Sequence, residues 1–407
     1  MGDLVLGGAT LLDGTVADVR LHEGRITAVG SVTPEPDDER LDLTGHVLSP
    51  SAVEPHAHLD KAFLAERVTN ETGDLLGAIE AMVAARPALS VAETVERAER
   101  AARLMAGNGY CAVRSHADTT IDHGLRSIEA LVEVRRRVAD VIDVQIVALC
   151  GWPIAGPAGA EQRALLRAAM DTGADVVGGC PHLDPEGTRP ATELLLQVAA
   201  EFGAPIDLHT DETLHGDVDG LSELAELVTA TAFPHPVTAS HCVSLGVQTP
   251  QRQRKVAEAV AAAGIAVVAL PGTNLFLQGR GHQRAMPRGL TAVRALRAAG
   301  VIVAAGADNL QDPFNPLGRG CPFDTAALMI MAAHLLPANA WAAVTDAARV
   351  AVGTATTSVA PGEPADLLAA PATSIREAIA FASTDVLVIR RGQIVNGRVS
   401  RPISRPS

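Results

Sequence analysis

His56 and His58 close an apolar run and are separated by a single residue. On a strand, side chains alternate between faces, so this spacing sends both imidazoles the same way. An isolated His-x-His in a loop is more often a pair of solvated histidines. A pair that ends a strand, with further His and Asp residues ending later strands, is a different matter. A third imidazole and a carboxylate would complete a mixed nitrogen and oxygen site for one divalent ion, Zn2+ or Fe2+, with a position open to water. His209 and Asp308 are the candidates for those two places. A metal held this way lowers the pKa of bound water toward neutrality and supplies a hydroxide nucleophile. Asp308 could also take that water's proton.

These residues need elements to bring them together. Between about 49 and 357, apolar runs of four to eight residues alternate with Ala- and Leu-rich helical patterns. The runs at 48–56, 110–116, 143–149, 174–180, 205–209, 235–241, 265–270 and 301–306 read as strands. Helical patterns fall at 91–106, 123–139, 159–171, 189–202, 220–230, 250–263 and 290–299. Such alternation over this length favours a parallel (β/α)8 barrel of the TIM type. Periodicity alone does not exclude a doubly wound sheet. The polar residues sit where the strands end: His56 and His58, His116, His182, His209 with Glu212, His241, and Asp308 with Asn309. In a barrel those ends converge on one face, where active sites are built.

Both chain ends have another texture. Leu4–Leu6, Val19–Leu21 and Ile26–Val29 are strand-like, as are 365–368, 386–389 and 393–395, with Gly-containing turns between. Residues 1–48 and 358–407 are therefore expected to build one small β-sandwich domain from both termini, around a barrel at 49–357. Arg401–Ser407 reads as a loose tail.

Composition narrows the function. Lys plus Arg total 33 against 47 Asp plus Glu, a net charge of −14, which gives no footprint for nucleic-acid phosphates. Aromatics are 2% of the chain, so any aromatic near a site is worth noting. The five cysteines are widely spaced and form no C-x-x-C pair, which argues against a disulfide framework or a cysteine-rich zinc site. No signal peptide or membrane span is legible, and a cytoplasmic location is the expectation. Ala-rich helix faces would suit barrel packing or a homo-oligomer contact.

His56-Ala57-His58, then His209, His241 and Asp308 on successive strands, resemble the amidohydrolase superfamily over nearly the whole chain. Val53–Asp60, His209–Glu212, Leu277–Arg280, Gly306–Asn309 and Asp312–Gly318 resemble its cytosine deaminase-like branch. The resemblance implies that His56, His58, His209 and Asp308 hold one divalent metal. The fourth strand closes at Gly179-Cys180 without a lysine to bridge two metals. His241 would lie beside the hydroxide or the developing oxyanion, and Glu212 would carry a proton to the ring nitrogen and then to the leaving amine. The residues allow these roles: a carboxylate near such a site can act as acid and base in turn, and an imidazole can donate to a tetrahedral oxygen. The plainer role for Glu212 is a helix-start carboxylate, which Asp211 could fill instead.

Several positions depart from cytosine deaminase. Gly151 stands where that branch has a glutamine reading the amide edge of the ring, and Asn309 replaces the second of two acids. Phe314 replaces a tryptophan, and with Trp152 it could form a larger apolar wall. Lys61 and Gln278 are further candidates to touch a substrate, and Arg280 and Gln278 could bind a carbonyl or carboxylate or simply staple their loop. His116 and His182 read as supporting hydrogen-bonding groups. The expectation is a metal-dependent hydrolase that removes ammonia from an amino-substituted heterocycle, cytosine-like or larger. The alternative is hydrolysis of a cyclic or N-substituted amide C–N bond by the same hydroxide.

Overall fold

The computed structural model describes residues 3–33 and 35–397. The tail expected at Arg401–Ser407 lies outside the described residues. Two eight-stranded sheets organise the chain. The first sheet takes β1 (Leu4–Leu11), β2 (Val16–His22), β3 (Arg25–Gly30), β4 (Glu39–Asp42) and β5 (Val47–Pro50) from the start of the chain. The second takes β6 (Ala52–Ala57), β7 (Tyr110–Thr119), β8 (Asp143–Cys150), β9 (Val176–Gly179), β10 (Ile206–Thr210), β11 (Val237–His241), β12 (Ala266–Ala269) and β13 (Val303–Ala305). Then β14 (Leu367–Ala370), β15 (Leu387–Arg390) and β16 (Gln393–Asn396) return to the first sheet, where β14 lies antiparallel on β5.

β6 to β13 pair in chain order, all parallel, with helices in the crossovers. The seam between the last strand and the first is closed just beyond β13. Asp308 N donates to His56 O at 3.0 Å and His58 N to Asp308 O at 3.2 Å. Buried Glu54 reinforces the seam, accepting Ala307 N at 3.0 Å on each carboxylate oxygen. The result is a TIM-type barrel whose strand ends form one mouth. With few aromatics, the packing around it relies on small residues. The helix Val91–Gly107 starts where Ser90 accepts Glu93 N, and buries Ala98, Ala101, Ala102 and Met105 at helical spacing. It packs on the helix Arg126–Arg137, which buries Ile128, Leu131 and Val134. Removing the Ser90 cap would cost about 1 kcal/mol.

The apolar run expected as one strand at 48–56 is two strands in different sheets. Pro50 has no N–H for a continuing ladder, and Ser51 N turns to Asp366 O of the first sheet at 2.9 Å. The first sheet has its own core, including Leu6, Val19, Ile26, Leu48, Leu367 and Ile389. Arg390, paired with Asp366 beside β14, ties it to the barrel through Asp143 at the start of β8. The run 301–306 shortens to β13, and β4 and the helix Leu75–Ala85 carried no clear periodic signal. Among the described residues, no helix is long and apolar enough to cross a membrane.

Candidate active site

The barrel mouth gathers five side chains from distant parts of the chain, His56, His58, His209, His241 and Asp308. His58 Nε2 lies 3.3 Å from His209 Nε2 and 3.3 Å from Asp308 Oδ1. His56 Nε2 is 3.7 Å from the same Asp308 oxygen. His241 Nε2 points inward from the next strand, 3.9 Å from Asp308 Oδ2. His56 Nε2, His241 Nε2 and both Asp308 carboxylate oxygens are buried without a hydrogen-bond partner. Buried polar atoms left unpaired cost about 1–3 kcal/mol each, more when charged. A cation among them would satisfy several at once, so the donor set fits a divalent metal. Burial, with crowding by neighbouring imidazoles, holds His56 and His209 well below the usual histidine range, in the neutral form that coordinates. Asp308 and His241 adopt φ of +63° and +69°, conformations that cost about 1–3 kcal/mol in a non-glycine residue and cluster at working sites.

A buried chain beneath the site sets the tautomer of His56. Arg114 Nη1 lies 2.7 Å from Asp207 Oδ2, on the strand that carries His209. Burial raises the Asp207 carboxyl, and the Arg114 charge opposes that shift. Ser240 Oγ donates to Asp207 Oδ1 at 2.9 Å. Its single proton is then spent, so it must accept from His56 Nδ1, 2.9 Å away. With Nδ1 protonated, the His56 Nε2 lone pair faces Asp308. His56, His116 and Asp207 also lie close enough to suggest a second cluster. Asp207 is already held by Arg114 and Ser240, and His56 Nδ1 by Ser240, whereas both His116 ring nitrogens are buried without a hydrogen-bond partner. The His116 ring stacks on His56 at 3.8 Å, and His182 Nδ1 contacts His209 O at 3.1 Å.

Glu212 and Asp211 divide the two roles open to them. Asp211 accepts Gly220 N and Leu221 N at 3.1 and 2.8 Å, capping the helix Gly220–Thr231. Glu212 stands on the loop between β10 and that helix, not at a helix start, and its Oε1 lies 3.4 Å from His241 Nδ1. Burial, then the charge of Asp308, pushes the Glu212 carboxyl well above its ordinary range. The same His241 nitrogen lies 3.0 Å from Asn274 Oδ1, which steadies the ring.

These groups open into a cavity lined by His58, His209, Glu212, His241 and Asp308. Leu75, Ile79 and Met82, at helical spacing on Leu75–Ala85, form its apolar side with Trp152 and Phe314. Lys61 lines it too, its Nζ 2.7 Å from Asp118 and 3.1 Å from His58 Nδ1. Burial works against the Lys61 charge, but Asp118 and Asp60 outweigh it and raise its pKa. Arg86 holds the other Asp118 oxygen at 3.1 Å. Asn309 also lines the cavity, but its amide is engaged by Thr273 at 3.2 Å and Asp312 at 2.8 Å. Gly151 is not part of the lining; a Cβ there would meet Gln162 and Thr120, each at 3.0 Å. Gln278 lies in a neighbouring outer depression and donates to Glu212 O at 3.3 Å.

Sequence reasoning passed over Arg86, Asn274 and the Leu75–Ala85 stripe. It also passed over Asp207 and Arg114, although charged residues inside apolar strands were a readable anomaly.

Comparison with known proteins agrees with this arrangement. Residues 64–399 match the amidohydrolase family. A pterin deaminase of Rhizobium rhizogenes is 31% identical, over 93% of this chain and 88% of the relative. A 5-methylcytosine deaminase of Klebsiella pneumoniae, solved with 5-fluorocytosine, superposes with a TM-score of 0.89 at 29% identity, covering 99% of each chain. An N-isopropylammelide isopropylaminohydrolase of Burkholderia multivorans superposes at 0.85 with 26% identity, over 98% of this chain and 99% of the other. The chain belongs to the amidohydrolase family.

Proposed function

We propose that this amidohydrolase removes an exocyclic amine from a nitrogen heterocycle and releases ammonia, with one divalent metal held by His56, His58, His209 and Asp308. The observation that carries the proposal is the placement of Glu212: buried, on the wall of the same cavity as the converging unpaired His and Asp atoms, and 3.4 Å from His241. The bound ion, zinc or iron on this donor set, would polarise water so that it attacks near neutral pH. Asp308 is placed to accept a proton from the attacking water. Glu212 gives a proton to the ring nitrogen, then takes the proton of the tetrahedral hydroxyl and passes it to the departing amine; the proton on Asp308 returns to Glu212, so the two protons of water end on the ring nitrogen and in ammonia. His241 Nε2 faces the place where oxygen develops on the tetrahedral ring carbon, and it donates there once the ring is protonated on both nitrogens, Nδ1–H staying on Asn274 Oδ1. Trp152, Phe314 and the Leu75–Met82 stripe exclude water from the ring and favour a flat, apolar face. Lys61 and Asp118 offer polar contacts at its edge. The pterin and 5-methylcytosine deaminases named above support the class of reaction.

The test is ammonia release by metal-replete protein from a panel of aminopyrimidines, aminotriazines, aminopurines and pterins. Glu212→Ala runs beside it. Release from at least one ring, reduced about 10²- to 10⁴-fold in the variant, is expected. Silence across the panel with metal bound refutes deamination and turns the search to cyclic or N-substituted amides.

A further inference from the structure

Outside the catalytic cavity lies a second, wider depression of about 1150 Å³, and the two share Leu75, Ile79, Leu183 and Glu212 as a common rim. Arg280 lines only the outer one. One face of its guanidinium stacks on Phe276, with Cζ 4.6 Å from the ring centroid. The other face lies over Gly73, where φ is +71° and a Cβ would fall 2.5 Å from Cζ. The guanidinium thus packs against both Phe276 and Gly73, while the residue as a whole is exposed. Among the described residues, however, no carboxylate or carbonyl accepts a hydrogen bond from its N–H edge. Arg97 and Arg114, by contrast, each have several acceptors, whereas Arg100, stacked on Phe63 at 4.0 Å, shares the arrangement of Arg280.

Two acids, Asp74 and Glu212, line the depression and hydrogen-bond or face elsewhere, although, after the hydrogen bonds from Gly77 and Thr72, the Arg280 charge helps hold Asp74 below its ordinary range. The Asp74 carboxylate caps the helix Leu75–Ala85, accepting Gly77 N at 2.9 Å and Thr72 Oγ1 at 2.8 Å. The Glu212 side chain turns toward His241. The Arg280 loop is also pinned to the catalytic loop, because Gln278 donates to Glu212 O. Immobilising a long, flexible cation ahead of binding removes part of the entropy cost of using it, and a planar fork with free edges matches a carboxylate in bidentate geometry.

We propose that the outer depression binds a carboxylate carried on the substrate, through Arg280, so that the preferred substrate is an amino heterocycle with an acidic arm. The ring then lies in the catalytic cavity and the arm crosses the shared rim. This rests on the deaminase reading for the ring, and on Arg280 alone for the arm.

The test uses the full-length, metal-replete protein and two fluorescent probes, pterin and pterin-6-carboxylate, titrated at low and high salt. Ammonia is measured in parallel samples. The carboxylate probe is expected to bind at least tenfold more tightly, with an advantage that shrinks as salt rises. Arg280→Gln is expected to bring the two probes within twofold while leaving the Kd of pterin unchanged within twofold. Equal affinity in the wild type, failure of both probes to bind, or a preference that survives R280Q overturns the proposal. The parallel measurement separates it from the reaction: ammonia without a carboxylate preference refutes the arm site alone. An Arg280-dependent preference with no ammonia from either probe, or from the panel above, refutes deamination alone.

Discussion

Replacing Ser240 with alanine should weaken metal binding far more than it weakens the fold. Ser240 Oγ is the acceptor for His56 Nδ1 at 2.9 Å, because its own proton goes to Asp207. In the metal-bound protein His56 must present its Nε2 lone pair, so Nδ1 keeps its hydrogen. Without Ser240 that N–H is buried and unpaired, at a cost of about 1–3 kcal/mol. The metal-free variant can escape this cost. The ring can move its proton to Nε2, which already faces Asp308 Oδ1 at 3.7 Å. The penalty therefore falls on the loaded state and weakens the metal by about 5- to 150-fold, at 1.4 kcal/mol per tenfold. That range brackets the loss usual for an outer-sphere partner of a histidine ligand. Competition against a chelator of known affinity, at fixed pH, measures it directly. Unchanged metal affinity in S240A, with the fold intact, would refute the tautomer assignment and the relay from Arg114 to His56.

Asp118→Asn should destabilise the protein by about 3 kcal/mol, because Lys61 and Arg86 lose a shared buried partner while keeping Asp60 and Asp122. Burial pushes the Asp118 carboxyl up, but Lys61 and Arg86 outweigh that and hold it well below the ordinary range. The stability it adds is thus present above the ordinary carboxylate range and lost as pH falls through its depressed value. Denaturation curves at several pH values should show D118N flatter on acidification, and parallel curves for the two proteins would contradict this. Trp152→Ala should lower kcat/KM about tenfold, or ~1.4 kcal/mol, mainly through KM, since this half-exposed ring forms wall and touches no reacting group. A loss confined to kcat would place Trp152 in the chemistry. Metal added at 100 times its Kd should raise stability by about 2.7 kcal/mol and Tm by roughly 3 °C over the chelated protein. A thermal melt insensitive to chelation would show that the His and Asp cluster is empty in solution.

The parts of this molecule that could be read before folding are those that obey a period. The barrel strands declared themselves as short apolar runs, and the His-x-His pair gained meaning because it ended one of them. The same logic fails where one run serves two sheets: nothing periodic distinguishes Val47–Pro50 from Ala52–Ala57, and only the turn of Ser51 toward Asp366 separates them. It fails again at Gly151. Matching a position to a specificity residue assumes that the backbone aims it the same way, whereas here the missing side chain would have pointed at Gln162 and Thr120 rather than into the cavity. The cavity wall is instead built by Leu75, Ile79 and Met82, from a helix with no charged face to give it a pattern, and by Arg86 just beyond that helix. The outer depression shows why loops resist such reading. Gln278 and Arg280 are two residues apart and both polar, yet one is tied to a backbone carbonyl and the other packs against Phe276 and Gly73. Strand ends decide which chemistry can occur, and loops that sequence period does not describe decide which molecule undergoes it.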